Sequence, residues 1–165
     1  MKANDQETSM RVLFVCLGNI CRSPTAEGVV RQRLEEHGLA DRVVLDSCGT
    51  GPWHVGEPPD ARAQQAARKR GIDLSKLRGR QLEVADFETC DYLLAMDADN
   101  LSVLERQAPA NCQAHIGLLM EFAGEPGVAV PDPYYEGGFD GVYAMIERAA
   151  DGLVATLSQR LGASS

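Results

Sequence analysis

Arg11-Val12-Leu13-Phe14-Val15-Cys16-Leu17-Gly18-Asn19-Ile20-Cys21-Arg22-Ser23-Pro24 runs from a short apolar stretch directly into a helix-start signal. Residues 11–16 are too few for a helix and apolar enough to be a buried central strand. Ser23 can cap a helix, and Pro24 costs nothing in its first turn, where the missing N–H would have had no partner anyway. Between them lies a tight loop. Gly18 and Asn19 tolerate the positive φ that a concave nest of amides demands. Such a nest, at the carboxyl end of a strand and the positive end of a helix, is an anion site.

Outward from this segment, strands and helices alternate. The first helix carries Ala26, Val29, Val30 and Leu34 on its inner face and stops at Gly38. Residues 43–48 read as a second strand, 59–70 as a helix stopped by Gly71, 91–96 as a third strand and 114–118 as a weaker fourth. A short helix passes through Leu101 and Leu104. The last helix is the clearest, with Val142, Met145, Ile146, Ala149, Leu153 and Leu157 at helical spacing, slightly weakened by Gly152. The pattern predicts an α/β fold: one domain of three αβα layers around a four-stranded parallel sheet, with the loop after its first strand. The expected domain spans 11–162, after a disordered lead-in over 1–10 and before a tail at 163–165. The Pro- and Gly-rich stretch from Ala123 to Gly141 exceeds ordinary loop length, which marks it as functional or disordered.

Composition narrows the function. The chain has 165 residues, 44% hydrophobic and 24% charged, and a domain of this size buries roughly 68–70% of its unfolded surface without disulfides or metal. No apolar run approaches the ~20 residues of a membrane span, and no signal-peptide core is present. A net charge of -8 argues against a nucleic-acid partner and requires any anion site to be built locally. Five scattered cysteines suggest reduced thiols and a cytoplasmic location. No CxxC pair or His–Cys cluster has metal-ligand spacing, so neither metal nor other cofactor is expected.

The loop's chemistry is that of phosphoryl transfer. A thiol beside a helix N-terminus and a fixed cation is expected as the nucleophilic thiolate, which makes Cys16 the candidate nucleophile. Arg22 offers the bidentate fork that grips two phosphate oxygens. The amides of Leu17, Gly18, Asn19, Ile20, Cys21, Arg22 and Ser23 would complete the phosphate cradle, and the Ser23 hydroxyl can stabilise the departing sulfur. Asp132, on a turn stiffened by Pro133, is a candidate proton donor. Cys21 is near enough in sequence to trap an oxidised Cys16 as a disulfide.

Residues 15–27, Val-Cys-Leu-Gly-Asn-Ile-Cys-Arg-Ser-Pro-Thr-Ala-Glu, resemble the signature loop of low-molecular-weight protein tyrosine phosphatases. Residues 46–50 with Trp53-His54, Asp91 to Met96 with Asp97, and Asp132-Pro133-Tyr134-Tyr135 match further blocks of that family in the same order. The resemblance implies phosphotyrosine hydrolysis through a phosphocysteine intermediate, with Asp132 as general acid and then base, and no cofactor. It makes Trp53, Tyr134 and Tyr135 walls of the substrate pocket, and Asn19 with Ser47 a pair that supports the loop. The implied partner is a tyrosine-phosphorylated protein. A bacterial tyrosine kinase of capsule or exopolysaccharide export, a host protein and a small aryl phosphate stay open as substrates. One departure stands out, with Leu77 where the family often has His. Two alternatives share the loop. A protein-arginine phosphatase tends to carry a small polar residue where Ile20 stands, and an arsenate reductase needs a closely spaced cysteine relay that Cys90 and Cys112 do not form.

Overall fold

The computed structural model describes residues 9–133 and 138–162. Strand β1 spans Met10–Cys16, β2 Val43–Gly49, β3 Tyr92–Ala95 and β4 His115–Leu118. They form one parallel sheet in the order β2-β1-β3-β4. The register pairs Met10 with Val43 and Cys16 with Gly49, and Val15 with Ala95 on the other side. β1 therefore lies between two neighbours, and its apolar run is explained by having both faces covered. It begins at Met10, one residue before the expected boundary.

Alternation along β1 divides the interior into two cores. Val12, Phe14 and Cys16 enter a large cluster with residues of helix α1, Arg22–Glu36, and helix α5, Phe139–Leu161. Leu13 and Val15 point to the opposite face, into a smaller cluster with Phe87 of helix α3, Val84–Thr89, and Leu104 of helix α4, Ala98–Gln107. Each fully buried Leu or Phe is worth about 1.5–3 kcal/mol over its exposed state, so the two clusters hold the layers together. Helix α2, Ala61–Arg68, is capped by Asp60, whose side chain accepts from the Arg62 N–H, and it packs on α5.

Three local readings are corrected. Ser23 does not cap α1: Cys21 is the N-cap residue, without a side-chain cap bond, because the Ser23 hydroxyl is drawn to the Cys16 sulfur. Helix α3 was not foreseen in residues 84–89, since six residues are too few for a helical period to emerge. Its start is held by a reciprocal pair in which Glu83 and Asp86 side chains each accept the other's backbone N–H. Gly152 is no mere weak point of α5. A Cβ there would run into the carbonyl of Phe122 in the 3-10 turn Leu119–Ala123, so its absence lets the turn pack directly on the helix.

Gly152→Ala is accordingly expected to lower stability by about 1–3 kcal/mol, the usual cost of overpacking, although Ala is the better helix former. A denaturant midpoint equal to or above that of the unaltered chain would contradict the close approach.

Candidate active site

The loop between β1 and α1 is shaped by where its carbonyls go. The Cys16 carbonyl accepts from Thr50 N–H (2.9 Å), Leu17 from Gly51 (3.0 Å), Ile20 from Asp60 (2.8 Å) and Cys21 from Thr25 (3.2 Å). In a trans peptide the next N–H points opposite to the carbonyl, and no described peptide is cis. The amides of Leu17, Gly18, Cys21 and Arg22 therefore turn the other way, towards the concave side. Asn19 completes the turn with φ 59, the one non-glycine residue at positive φ among those described. Gly18 was expected to share that role and does not. It is small because the His54 ring lies 3.0 Å from where its Cβ would be. Gly49 has a related constraint, with the Leu17 carbonyl 2.8 Å from its missing Cβ.

Cys16 ends β1 at the bottom of this nest, 2% exposed. Its Sγ accepts from the Asn19 N–H at 3.2 Å and lies 3.0 Å from Ser23 Oγ. The orientation of the Ser23 proton follows from its neighbours. Arg80 N–H donates to Asn19 Oδ1 (2.9 Å), so Asn19 Nδ2 is the donor to both Ser23 Oγ (2.8 Å) and Ser47 Oγ (3.1 Å). Ser23 keeps its proton for the sulfur, the Cys48 carbonyl being farther at 3.4 Å. Ser47 in turn donates to Glu27 Oε1 at 2.8 Å, and Arg31 holds the other oxygen at 2.8 Å. A buried chain thus runs from Cys16 through Ser23, Asn19 and Ser47 to Glu27. Leu77 takes no part in it and packs against the large core. Ser47 finds its support in Glu27, and Asn19 finds its own in the Arg80 backbone.

Arg22 is 2% exposed at the start of α1. Its Nη1 donates to Asp97 Oδ2 (2.7 Å) and to the Val130 carbonyl (2.8 Å), and its Nη2 lies 3.5 Å from Asp132 Oδ2. Asp97 is held in turn as N-cap of α4, accepting from Asn100 N–H. Val130 N–H donates to the Met96 carbonyl at 2.7 Å, which pins the loop carrying Asp132 to the end of β3. A cleft of about 330 Å³ results, with Cys16 and Arg22 on its floor and Asp132, Trp53 and His54 on its walls. Leu17, Gly18, Ile20 and Cys21 also line it. Trp53 is 64% exposed and lies across Gly51, a rim position rather than a core plug. His54 pairs with Glu57 at 2.9 Å. Tyr134 and Tyr135 lie outside the described residues.

Three of these contributors were not singled out from the sequence as site residues. Glu27 had a signal, a carboxylate in the same helical stripe as Val30 and Leu34, where an apolar side chain belongs. Asp97 also had one: it follows a strand and precedes a helix, as the loop after β1 does. The Arg80 backbone had none, since a main-chain donor leaves no mark on composition. Elsewhere, burial pushes the thiols of Cys21 and Cys48 well up, Asp60 adding to the effect on Cys21.

The sequence profile described as low molecular weight phosphotyrosine protein phosphatase matches residues 11–163. The chain belongs to this phosphatase family. A Bacillus subtilis relative named low molecular weight protein-tyrosine-phosphatase YfkJ is 40% identical over 149 residues, covering 90% of this chain and 96% of that one. A Schizosaccharomyces pombe low molecular weight phosphotyrosine protein phosphatase is 49% identical over 136 residues, 81% of this chain and 85% of the relative. The crystal structure of Bacillus subtilis YfkJ matches with a TM-score of 0.87 at 38% identity, over 92% of this phosphatase and 96% of YfkJ. That of DARP, a Drosophila arginine phosphatase, matches with 0.84 at 34% identity, over 89% and 97% of the respective chains.

Glu27 makes a pH test of the chain behind Cys16. Burial, outweighing the Ser47 and Arg31 contacts, raises its carboxyl above the usual range. The folded protein then binds this proton more tightly than the unfolded chain. An ionised Glu27 therefore costs stability above the raised value, and the cost disappears below the ordinary glutamate range. Glu27→Gln keeps an acceptor for Ser47 without the charge. Its stability relative to the unaltered chain is expected to improve between about pH 4 and about pH 7, across the ordinary glutamate range. Urea midpoints at the two pH values whose difference stays constant or reverses would exclude a buried ionised Glu27.

Proposed function

We propose that the chain hydrolyses phosphotyrosine in proteins, and small aryl phosphates, through a phosphocysteine intermediate and without metal. The observation that carries this reading is the convergence of Cys16, Arg22 and Asp132 on one cleft. The phosphate sits in the amide nest, against the Nη2 edge of the Arg22 guanidinium, which faces Asp132 at 3.5 Å, while Nη1 is anchored on Asp97 and Val130. Cys16 Sγ attacks phosphorus in line with the ester oxygen, and Asp132 gives that oxygen its proton as the P–O bond breaks. The tyrosine leaves as the neutral phenol. In the second step Asp132 removes a proton from water, whose oxygen attacks phosphorus and expels the sulfur. The Ser23 hydroxyl and the Asn19 N–H stabilise that sulfur as it regains its negative charge. Trp53 at the rim supplies a face for an aromatic ring. Phosphotyrosines of a bacterial tyrosine kinase are among the substrates that fit this reading. The cytoplasmic location belongs to it as well, supported by five cysteines that are all free.

The Drosophila neighbour supports a second reading, as a protein-arginine phosphatase. Ile20, 7% exposed in the cleft wall, favours the flat aryl ring over a guanidinium. An arsenate-reducing relay has no support in the geometry. Cys16 belongs to one core, whereas Cys90 and Cys112 pack against the other, across the sheet.

Cys16→Ser is expected to abolish turnover of an aryl phosphate with the fold intact. Asp132→Ala is expected to slow it by about 10²–10⁴-fold, most for poor leaving groups. Equal losses for good and poor leaving groups would remove Asp132 from the acid role, and faster release of phosphate from phosphoarginine than from phosphotyrosine would favour the second reading.

Peroxide is expected to convert the Cys16 thiolate to a sulfenic acid, which the Cys21 thiol condenses to a disulfide with loss of water. Both residues line the cleft. Activity should then return with dithiothreitol, and far less in Cys21→Ser; equal recovery in the two proteins would rule this protection out.

A further inference from the structure

Residues 61–70, Ala-Arg-Ala-Gln-Gln-Ala-Ala-Arg-Lys-Arg, hold four basic residues and no acidic one, in a chain of net charge -8. They form helix α2 and its C-terminal turn, and the exposed face of α2 borders a groove of about 240 Å³ against the start of α5. Arg62, Gln65, Ala66 and Lys69 line one side, and Phe139 and Asp140 the other. The Arg62 guanidinium lies over the Phe139 ring at 4.8 Å.

The groove adjoins the catalytic cleft. Asp60, immediately before α2, donates its N–H to the Ile20 carbonyl of the phosphate loop, and the Arg62 charge acts on the Cys21 thiol inside the cleft. Lys69 is seven residues beyond Arg62, or about 10 Å along the helix. About three residues of extended chain would cover that distance. Of Arg62, Lys69 and Arg70, Lys69 is the most lightly committed. It shares Asp140 with Arg70 at 3.5 and 3.0 Å, whereas Arg70 also donates to the Ala66 carbonyl at 2.8 Å and Arg62 grips Asp60 through Nε and Nη2 at 3.1 Å each. The Lys69 and Asp140 side chains are more than half exposed, and such surface pairs exchange partners at little cost.

We infer that this groove docks acidic side chains about two to five residues from the phosphotyrosine of a protein substrate, so that α2 selects acidic sequence context. The inference rests on the phosphotyrosine reading of the cleft and adds a substrate preference to it. Charge complementarity identifies the occupant: a basic strip beside the cleft of an otherwise acidic protein attracts a locally acidic chain and leaves polyanions at large repelled.

The test uses three phosphotyrosine peptides of equal length, flanked by Glu, by Ser or by Lys, with p-nitrophenyl phosphate as a substrate too small to reach the groove. The Glu peptide is expected to exceed the Ser peptide in kcat/KM by about three- to tenfold, mainly through KM, with the Lys peptide slowest and the spread narrowing as salt is added. Lys69→Glu and Gln65→Glu should each erase or invert that order, while p-nitrophenyl phosphate turnover reports that the fold and chemistry are retained. Equal kcat/KM for the three peptides, or an order that survives both substitutions, would overturn the inference with the phosphatase reading intact. Inert Ser peptide and inert p-nitrophenyl phosphate would instead refute that reading, and the substrate preference with it.

Discussion

A loop of backbone amides can face an anion only if the matching carbonyls are satisfied elsewhere, and most of the site's architecture serves that requirement. The acceptors of residues 16, 17, 20 and 21 are taken by Thr50, Gly51, Asp60 and Thr25. These donors come from the loop after β2, the entry to α2 and the first turn of α1. Unpaired buried carbonyls would cost about 1–3 kcal/mol each, so the nest exists because three separate elements pack around it. Gly49 has no side chain for the same reason, since the loop's backbone occupies that space. The parallel sheet supplies the setting: the ends of β1 and β2 lie side by side in register, and each feeds a loop that buttresses the other.

Behind the nest, polarity is organised into two arms that diverge from the Asn19 amide. Arg80's backbone sets the Asn19 amide, Asn19 sets Ser23 and Ser47, and Ser47 points at Glu27. With the Asn19 amide donating to its oxygen, Ser23 turns its own proton to the sulfur at 3.0 Å, nearer than the Cys48 carbonyl at 3.4 Å. Ending the Ser47 arm on a buried carboxylate carries a desolvation cost. Arg31 compensates part of it from the helix surface, four residues along α1. With Leu77 packed into the core, Glu27 and the Arg80 main chain hold the network, so its rigidity comes from α1 and the sheet edge.

Arg22 links the two halves of the proposed chemistry. One guanidinium nitrogen is anchored on Asp97, at the end of β3, and on Val130, at the base of the loop that carries Asp132. That loop is fastened a second time through Val130 to Met96. Arg22, the proposed phosphate clamp, and the Asp132 carboxylate therefore share a support. The basic face of α2 is tied to the same loop through Asp60 and Ile20, so the inferred docking groove and the proposed phosphate site share one support.

The sequence by itself determined the sheet's central strand, the alternation of strands and helices and the place of the loop after β1, and it put Cys16 and Arg22 forward for the roles proposed above. These are local matters: apolar period, strand length, a Pro in the first turn of a helix, a thiol and an Arg at its mouth. Resemblance then supplied Asp132, Trp53 and Ser47, whose own neighbours are uninformative. Tertiary structure alone decided the tasks of Glu27, Asp97 and Gly152. Ser23 reads both as a helix cap and as a donor to the sulfur, and the placed Cys16 decides for the second, whereas Glu27 reads as a first-turn acid until Ser47 arrives from β2. Gly152 reads as a flaw until Phe122 is packed against it. Each role is set by a contact between residues 7 to 30 positions apart or, for Asp97 with Arg22, 75 apart. Such contacts form only when the sheet brings strand ends together, and no local propensity encodes them.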